Sequence, residues 1–198
     1  FATPSTEPRG LAWDGRALWH CDNTADLIYQ IDPATGRVLR SFATPSTEPV
    51  GLAWDGWALW LCDSIADLIY QIDPATGRVL RSFATPSTEP RGLAWDGRAL
   101  WHCDRAADLI YQIDPATGRV LRSFAAPSTN PVGLAWDGRA LWHCDSIADL
   151  IYQIDPATGR VLRSFAAPST SPVGLAWDGR ALWHCDSIAD LIYQISAD

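Results

Sequence analysis

The stretch Gly10-Leu11-Ala12-Trp13-Asp14-Gly15-Arg16-Ala17-Leu18-Trp19-His20-Cys21-Asp22 decides the fold. Two runs of apolar and aromatic residues flank Asp14-Gly15, a two-residue hairpin signal because glycine accepts a positive φ. Alternate residues share a face along each run, Leu11 with Trp13 and Trp19 with Cys21. A helical reading needs about 10 uninterrupted residues, and no segment between the turn residues reaches that. Working outward, Leu27-Ile28-Tyr29-Gln30-Ile31 is rich in β-branched and aromatic residues and predicts a third strand. Asp32-Pro33-Ala34-Thr35-Gly36 reads as a type I turn closed by a left-handed glycine. Val38-Leu39-Arg40-Ser41-Phe42-Ala43 is then the fourth strand.

The unit recurs. Phe1, Phe42, Phe83, Phe124 and Phe165 each begin a copy, giving repeats 1–41, 42–82, 83–123, 124–164 and 165–198 of one assembly. Strand by strand, Leu11 shares a face with Trp13, Trp19 with Cys21, and Leu27 with Tyr29 and Ile31. The opposite face of each strand carries Ala12, Leu18, Ile28 or Leu39, so both sides of the sheet are largely apolar. A four-stranded sheet that is greasy on both sides has to be sandwiched between neighbours. The sequence therefore predicts an all-β, five-bladed propeller over 1–198, a single domain of antiparallel four-stranded blades. Eleven tryptophans, two per blade plus Trp57, are expected to fill the space between blades, Trp95 among them.

Composition narrows the function classes. The net charge is −8 and the pI about 4.8, which argues against general binding of nucleic acid or anionic membranes. Hydrophobic residues make up 47% and charged residues 19%, as in a globular chain rather than a disordered one. No apolar run approaches the roughly 20 residues of a membrane-crossing helix, and no basic-then-apolar leader opens the sequence, so a soluble chain is expected. All basic residues are arginine, in keeping with a coding bias, and the absence of Met suggests a processed or excised segment. Cysteine occurs once per repeat (Cys21, Cys62, Cys103, Cys144, Cys185), an odd count with uniform spacing that fits a buried, reduced hydrophobe better than a disulfide framework. Nothing here fixes a compartment.

The unit G-L-A-W-D-G-x-A-L-W-x-C-D followed by I-Y-Q-I-D-P-A-T-G-R-V-L-R-S-F resembles blades of the NHL/YVTN-like propellers. Its Gly-Leu-Ala-Trp-Asp-Gly and Ile-Asp-x-x-Thr-Gly stretches are similar to repeats of the five-bladed glutaminyl cyclotransferase type. The resemblance covers the whole chain and implies the fold more than an activity. Near-identical blades point to recent amplification of one blade or to an engineered chain.

The last copy stops after its third strand, and Phe1-Ala2-Thr3 reads as the tail of a fourth strand. Phe1–Thr3 is expected to clasp the start of that third strand. The rest of the edge would stay open for pairing with a second chain. A five-bladed monomer is the preferred outcome over a dimer or larger ring.

No residue stands out as the centre of a chemistry. His20, His102, His143 and His184 adjoin the cysteines, but neighbouring strand residues point to opposite faces and cannot easily chelate one ion. Leu61 replaces the histidine in the second copy, so a structural role is the preferred reading. Asp22, Asp63, Asp104, Asp145 and Asp186 open the loop between second and third strands, with Asp26, Asp67, Asp108, Asp149 and Asp190 closing it. They could form a ring that attracts Ca²⁺ or another cation, or a basic ligand. The preferred alternative is that they cap turns by accepting backbone N–H bonds.

The copies differ at Glu7/Glu48/Glu89/Asn130/Ser171, Arg9/Val50/Arg91/Val132/Val173, Arg16/Trp57, His20/Leu61 and Asn23-Thr24/Ser64-Ile65/Arg105-Ala106. Most of these fall in loops expected on one face. Drift at exposed loops is the simpler account, and the functional one is a ligand face whose symmetry Arg9, Arg91 and Arg105 break.

No G-x-S-x-G, phosphate loop or dinucleotide fingerprint occurs. The only glutamates, Glu7, Glu48 and Glu89, are repeated loop residues followed by Pro, whereas a cyclotransferase-like site wants one isolated acid in a pocket. The expected function is a non-catalytic, nearly symmetric scaffold that takes a small or polymeric ligand at the channel mouth through Arg9, Arg91, Arg105 and the Asp22-type residues, without a resident cofactor. The alternatives are a glutaminyl cyclotransferase-like enzyme and a self-assembling interaction module.

Overall fold

The computed structural model describes residues 1–196, and among these every regular element is a strand. The first blade is β1 (Pro8–Trp13), β2 (Leu18–Asp22), β3 (Leu27–Ile31) and β4 (Val38–Ala43). The second is β5 (Pro49–Trp54), β6 (Leu59–Asp63), β7 (Leu68–Ile72) and β8 (Val79–Ala84). The third is β9 (Pro90–Trp95), β10 (Leu100–Asp104), β11 (Leu109–Ile113) and β12 (Val120–Ala125). The fourth is β13 (Pro131–Trp136), β14 (Leu141–Asp145), β15 (Leu150–Ile154) and β16 (Val161–Ala166). The fifth has three strands, β17 (Pro172–Trp177), β18 (Ala181–Asp186) and β19 (Leu191–Ser196). Each blade is an antiparallel meander in chain order, and β1 packs on both β5 and β17, so five blades close a ring. This is a five-bladed β-propeller.

The core lies between blades, as sheets apolar on both faces require. Ala12, Trp19, Cys21 and Ile28 of the first blade pack on Leu52, Leu59, Leu61 and Ile72 of the second. Its other face, with Leu11, Leu18, Tyr29 and Ile31, packs on Val173, Trp183, Cys185 and Ile192 of the fifth. The first of these contacts is reinforced at the rim: Phe42 meets Trp19 at 6.0 Å, and Arg40 lies 5.0 Å above the Trp19 ring.

The clasp forms as expected. Ile192 N–H donates to Phe1 O at 2.8 Å, Thr3 N–H donates to Asp190 O at 2.9 Å, and Ala2 pairs with Leu191. Phe1 stands 6.1 Å from Trp183, reproducing the Phe42–Trp19 contact with a residue from the far end of the chain.

Two expectations need correction and a third is met in part. The hairpin turn is not a two-residue loop, because Trp13 pairs with Leu18 and leaves Asp14–Ala17 as four. Asp14 accounts for the extra length: Oδ1 accepts from Arg16 N–H and Ala17 N–H, and Oδ2 from Trp19 Nε1 and Gln30 Nε2. Leu39 is 57% exposed rather than buried, since the outer strand has a sheet neighbour on one side only. Trp95 does pack on the core between the second and third blades, as expected, but it is only partly buried, unlike Trp19, Trp60, Trp101 and Trp142, and it also lines one end of the channel.

Candidate functional site

The inner strands β1, β5, β9, β13 and β17 surround the channel, and its two ends differ in chemistry. At the end where these strands finish, Trp13, Trp54, Trp95, Trp136 and Trp177 enclose a narrow cavity of about 70 Å³ with the leucines and alanines before them. The five copies are identical here. Where the strands begin, a cavity of about 250 Å³ is lined by residues that vary from copy to copy, Arg9, Val50, Arg91, Val132 and Val173 among them. Glu48, Arg105, Asn130, Ser171 and the serines 64, 146 and 187 complete it.

The loops at this mouth are held from below by the Asp22-type residues. Asp22 is fully buried; its Oδ1 accepts from Thr24 and Ala25 N–H, and its Oδ2 from Glu7 N–H. One carboxylate thus ties the blade-connecting segment to the loop between second and third strands. Asp63, Asp104, Asp145 and Asp186 repeat the arrangement. For Asp145, burial pushes the carboxyl up, but the bonds from Ser128 and the Ala148, Asn130 and Ile147 N–H groups outweigh it and hold its pKa below the ordinary value. Of the two readings of these five aspartates, the geometry is that of caps. They do not line the cavity, and among the described residues no cluster of His, Cys, Asp or Glu could hold a metal ion. Asp26 and its equivalents take a left-handed backbone, φ 54° at Asp26, to turn the chain into the third strand.

Arg9, Arg91 and Arg105 do come together. Arg105 Nε donates to Glu89 at 2.7 Å and Arg9 Nη2 to Glu7 at 3.3 Å. Arg91 makes no hydrogen bond to a carboxylate among the described residues, though the charge of Glu89 acts on it; its Nη1 donates to the adjacent Pro90 O at 3.4 Å. Burial lowers the Arg91 pKa, and the neighbouring charges of Arg105 and Arg9 lower it further. Arg9 Nε is buried without a partner.

The strands that carry these arginines differ from their counterparts. In β5, β13 and β17 the ladder resumes after its bulge at Gly51, Gly133 and Gly174, whereas in β1 and β9 it resumes one residue later, at Leu11 and Leu93. Gly10 N–H and Gly92 N–H donate instead to Cys21 and Cys103 Sγ, both at 3.1 Å. The shifted backbone puts the Arg91 carbonyl 2.7 Å from Cys62 Sγ and the Arg9 carbonyl 3.1 Å from Cys185 Sγ, each in the preceding blade.

The histidines and cysteines sit beneath this mouth in the packed layer. Burial lowers the pKa of His20, His102, His143 and His184 to about 4, and raises that of the Cys21 and Cys103 thiols to about 12. Each His ring stacks on the tyrosine paired with it, His20 on Tyr29 at 6.0 Å. The imidazoles are neutral and the thiols protonated at physiological pH. Leu61 fills the same buried position in the second blade.

Sequence reasoning singled out the three arginines but not Glu48, Asn130 or the serines as site residues. The available signal is the comparison of copies, because the cavity is built from positions at which they differ.

No family model matches the chain, and no curated protein matches it. Among solved structures, Myxococcus xanthus glutaminyl cyclase is similar over 100% of this chain and 95% of its own, with TM-score 0.85 and 15% identity. A streptogramin B lyase matches over 100% of this chain and 68% of its own, with TM-score 0.61 and 20% identity. Staphylococcus aureus virginiamycin B lyase matches over 100% and 72%, with TM-score 0.59 and 21% identity. At these identities the likeness is one of fold.

Proposed function

We propose that this chain is a non-catalytic binding propeller whose ligand sits at the mouth where the inner strands begin. One observation carries the reading: most positions that differ between otherwise near-identical blades line or adjoin a single cavity, whereas the residues lining the cavity at the opposite end are the same in all five copies. The differences elsewhere include Arg16/Trp57 on the hairpin at that end and His20/Leu61 in the packed layer. The near-identity of the copies favours an origin by amplification of one blade, in nature or by design.

The competing reading is an enzyme like the glutaminyl cyclase that shares its fold. It would need an acid or base at the mouth in position to move a proton. Glu48 is the carboxylate lining the cavity, and it accepts a hydrogen bond from Asn23 Nδ2 at 2.8 Å. The imidazoles and thiols that could serve as base or nucleophile are buried among apolar side chains. Incubation with a peptide bearing N-terminal glutamine separates the two. No pyroglutamate above the uncatalysed background is expected; formation in proportion to protein concentration would overturn the proposal.

A further inference from the structure

We infer that the mouth binds a small organic anion, its acid group held by Arg91 between Arg9 and Arg105 and its aliphatic part lying toward Val132 and Val173. The inference rests on the reading of the mouth as the ligand seat and adds the class of ligand.

Charge comes first. Among the residues that line the cavity, three guanidiniums face one carboxylate, Glu48. Glu7 and Glu89 each engage one nitrogen of Arg9 and Arg105 and do not line the cavity, while Arg91 feels the charge of Glu89 without a hydrogen bond to a carboxylate among the described residues. A guanidinium carries donors on all three nitrogens in a fixed fork that matches the two oxygens of a carboxylate or phosphate. Arg91 bonds a single weak acceptor at 3.4 Å, so most of that fork is uncommitted. Taking such a group partly out of water beside two like charges is unfavourable unless an anion offsets it. The protein as a whole is acidic, at −8, and the mouth gathers three of its arginines in one cavity.

Asymmetry comes next. Arg9, Arg91 and Arg105 belong to the first and third blades, and the fourth and fifth contribute Val132, Val173 and uncharged Asn130, Ser171, Ser146 and Ser187. Val132 and Val173 are 8% and 6% exposed, and Ile147 and Ile188, in the loops between second and third strands of the same blades, are 73% exposed. The second blade, between the two that carry arginine, adds Val50, Glu48 and Ser64. The guanidiniums thus reach the cavity from the first and third blades, and the fourth and fifth offer a side without charge that suits a short hydrocarbon. A cavity of about 250 Å³ admits a compact organic acid, not a folded polymer end.

Preorganisation is the third argument. The Arg91 and Arg9 carbonyls are gripped by the Cys62 and Cys185 thiols across the blade junction, which fixes the backbone that carries each guanidinium. A site built on strands held this way loses little freedom on binding.

The test uses the intact chain in low-salt buffer, titrated by calorimetry with pentanoate, inorganic phosphate and neutral pentanamide. The internal repeats supply variants that cannot fail for want of a compatible fold: Arg91→Val copies Val50, and Arg105→Ser copies Ser64. Pentanoate is expected to saturate the protein, with affinity falling at least ten-fold in Arg91→Val and in 0.5 M salt (order-of-magnitude figures for a lost charge-assisted bidentate contact). Arg98→Ala, at the opposite end, should leave it unchanged. Phosphate binding as well as pentanoate, with the same loss in Arg91→Val, assigns the shared oxyanion chemistry without use of the apolar side. Pentanamide binding as tightly as pentanoate overturns the anion and leaves the mouth as a ligand seat. Anion binding that survives Arg91→Val and Arg105→Ser together, or no anion binding at all, overturns the inference, and the mapping of neutral ligands then judges the seat by itself.

Discussion

Cys62 Sγ lies 2.7 Å from the carbonyl oxygen of Arg91, one blade away. That contact joins the packed layer between blades to the variable mouth above it. Burial raises the Cys62 pKa well above the ordinary thiol value, with the neighbouring Cys103 and Cys21 adding to the shift, so the thiol stays protonated and can donate. All five cysteines are free and buried. In the native protein none should react with a thiol reagent such as Ellman's reagent over minutes, and all five should react in denaturant. Prompt labelling of even one in the native state would show that a blade junction is open.

The same junction leaves no room for a side chain at Gly51. A Cβ there would lie 2.2 Å from the Arg91 carbonyl and 2.9 Å from Cys62 Sγ. Gly51→Ala should lower the free energy of unfolding by more than about 1 kcal/mol, the size of an ordinary helix or strand propensity change. Gly56→Ala meets no atom within 4 Å but has φ 104°, so its cost comes from backbone strain alone. The two variants should differ in where amide exchange accelerates: near Arg91 for the first, at the hairpin tip for the second.

Tryptophans at the two sequence positions of each blade should differ in cost. Trp101→Ala removes a fully buried ring that touches Phe124 at 5.8 Å and carries Arg122 above it at 5.1 Å. About 3–5 kcal/mol of stability should be lost. Trp95→Ala, at the channel end, should cost clearly less, because that ring is only partly buried. Equal losses in denaturant titrations would contradict the placement of the rings.

Acid should destabilise the ring through its histidines. Their folded pKa is about 4 against 6.5 for the free group, so between these values the unfolded chain binds more protons than the native one. The stabilisation from neutral burial is complete above pH 6.5 and is lost as pH falls toward 4. Each site contributes on the order of a few kcal/mol across that window. His143→Leu, which copies Leu61, should make the drop in stability between pH 7 and pH 4.5 smaller by about a quarter of the histidine-linked part, since three other histidines remain. An unchanged pH slope would mean that these imidazoles are not buried neutral.

The clasp offers a local prediction. Phe1→Ala removes the contact with Trp183 and weakens the hold on Ile192 N–H. Amide exchange should speed at Ile192 before it does at Ile28, whose strand is covered by a full outer partner. Uniform acceleration over all blades would argue that the clasp acts globally rather than at its own edge.

The fold was legible because the blade is written five times: Gly-Leu-Ala-Trp-Asp-Gly, the Asp-Pro-Ala-Thr-Gly turn and apolar residues on both faces leave little choice but stacked sheets. Local readings failed where side chains did the shaping. Asp14-Gly15 looks like a two-residue turn, but the Asp14 carboxylate captures Arg16 and Ala17 N–H and draws in Trp19 Nε1. Leu39 repeats an apolar pattern, yet an outer strand lacks the neighbour that would bury it. At the mouth, the three arginines were visible as breaks in symmetry. The one-residue difference in bulge between β1 or β9 and the other inner strands leaves no mark in residue type beyond Arg against Val, and the depth of the Asp22-type caps needed the packed loops to be seen.

The central claim is that the variable mouth, not the uniform tryptophan end or the edge of β19, is where this propeller meets its ligand. Mapping a library of small neutral and charged compounds by backbone amide shifts tests it most directly. The account predicts perturbations centred on Arg91, Val132, Ser146 and Val173, with Trp95 and Trp136 unmoved. Shifts gathered instead at the tryptophan ring, or along Tyr193 and Gln194, would contradict it.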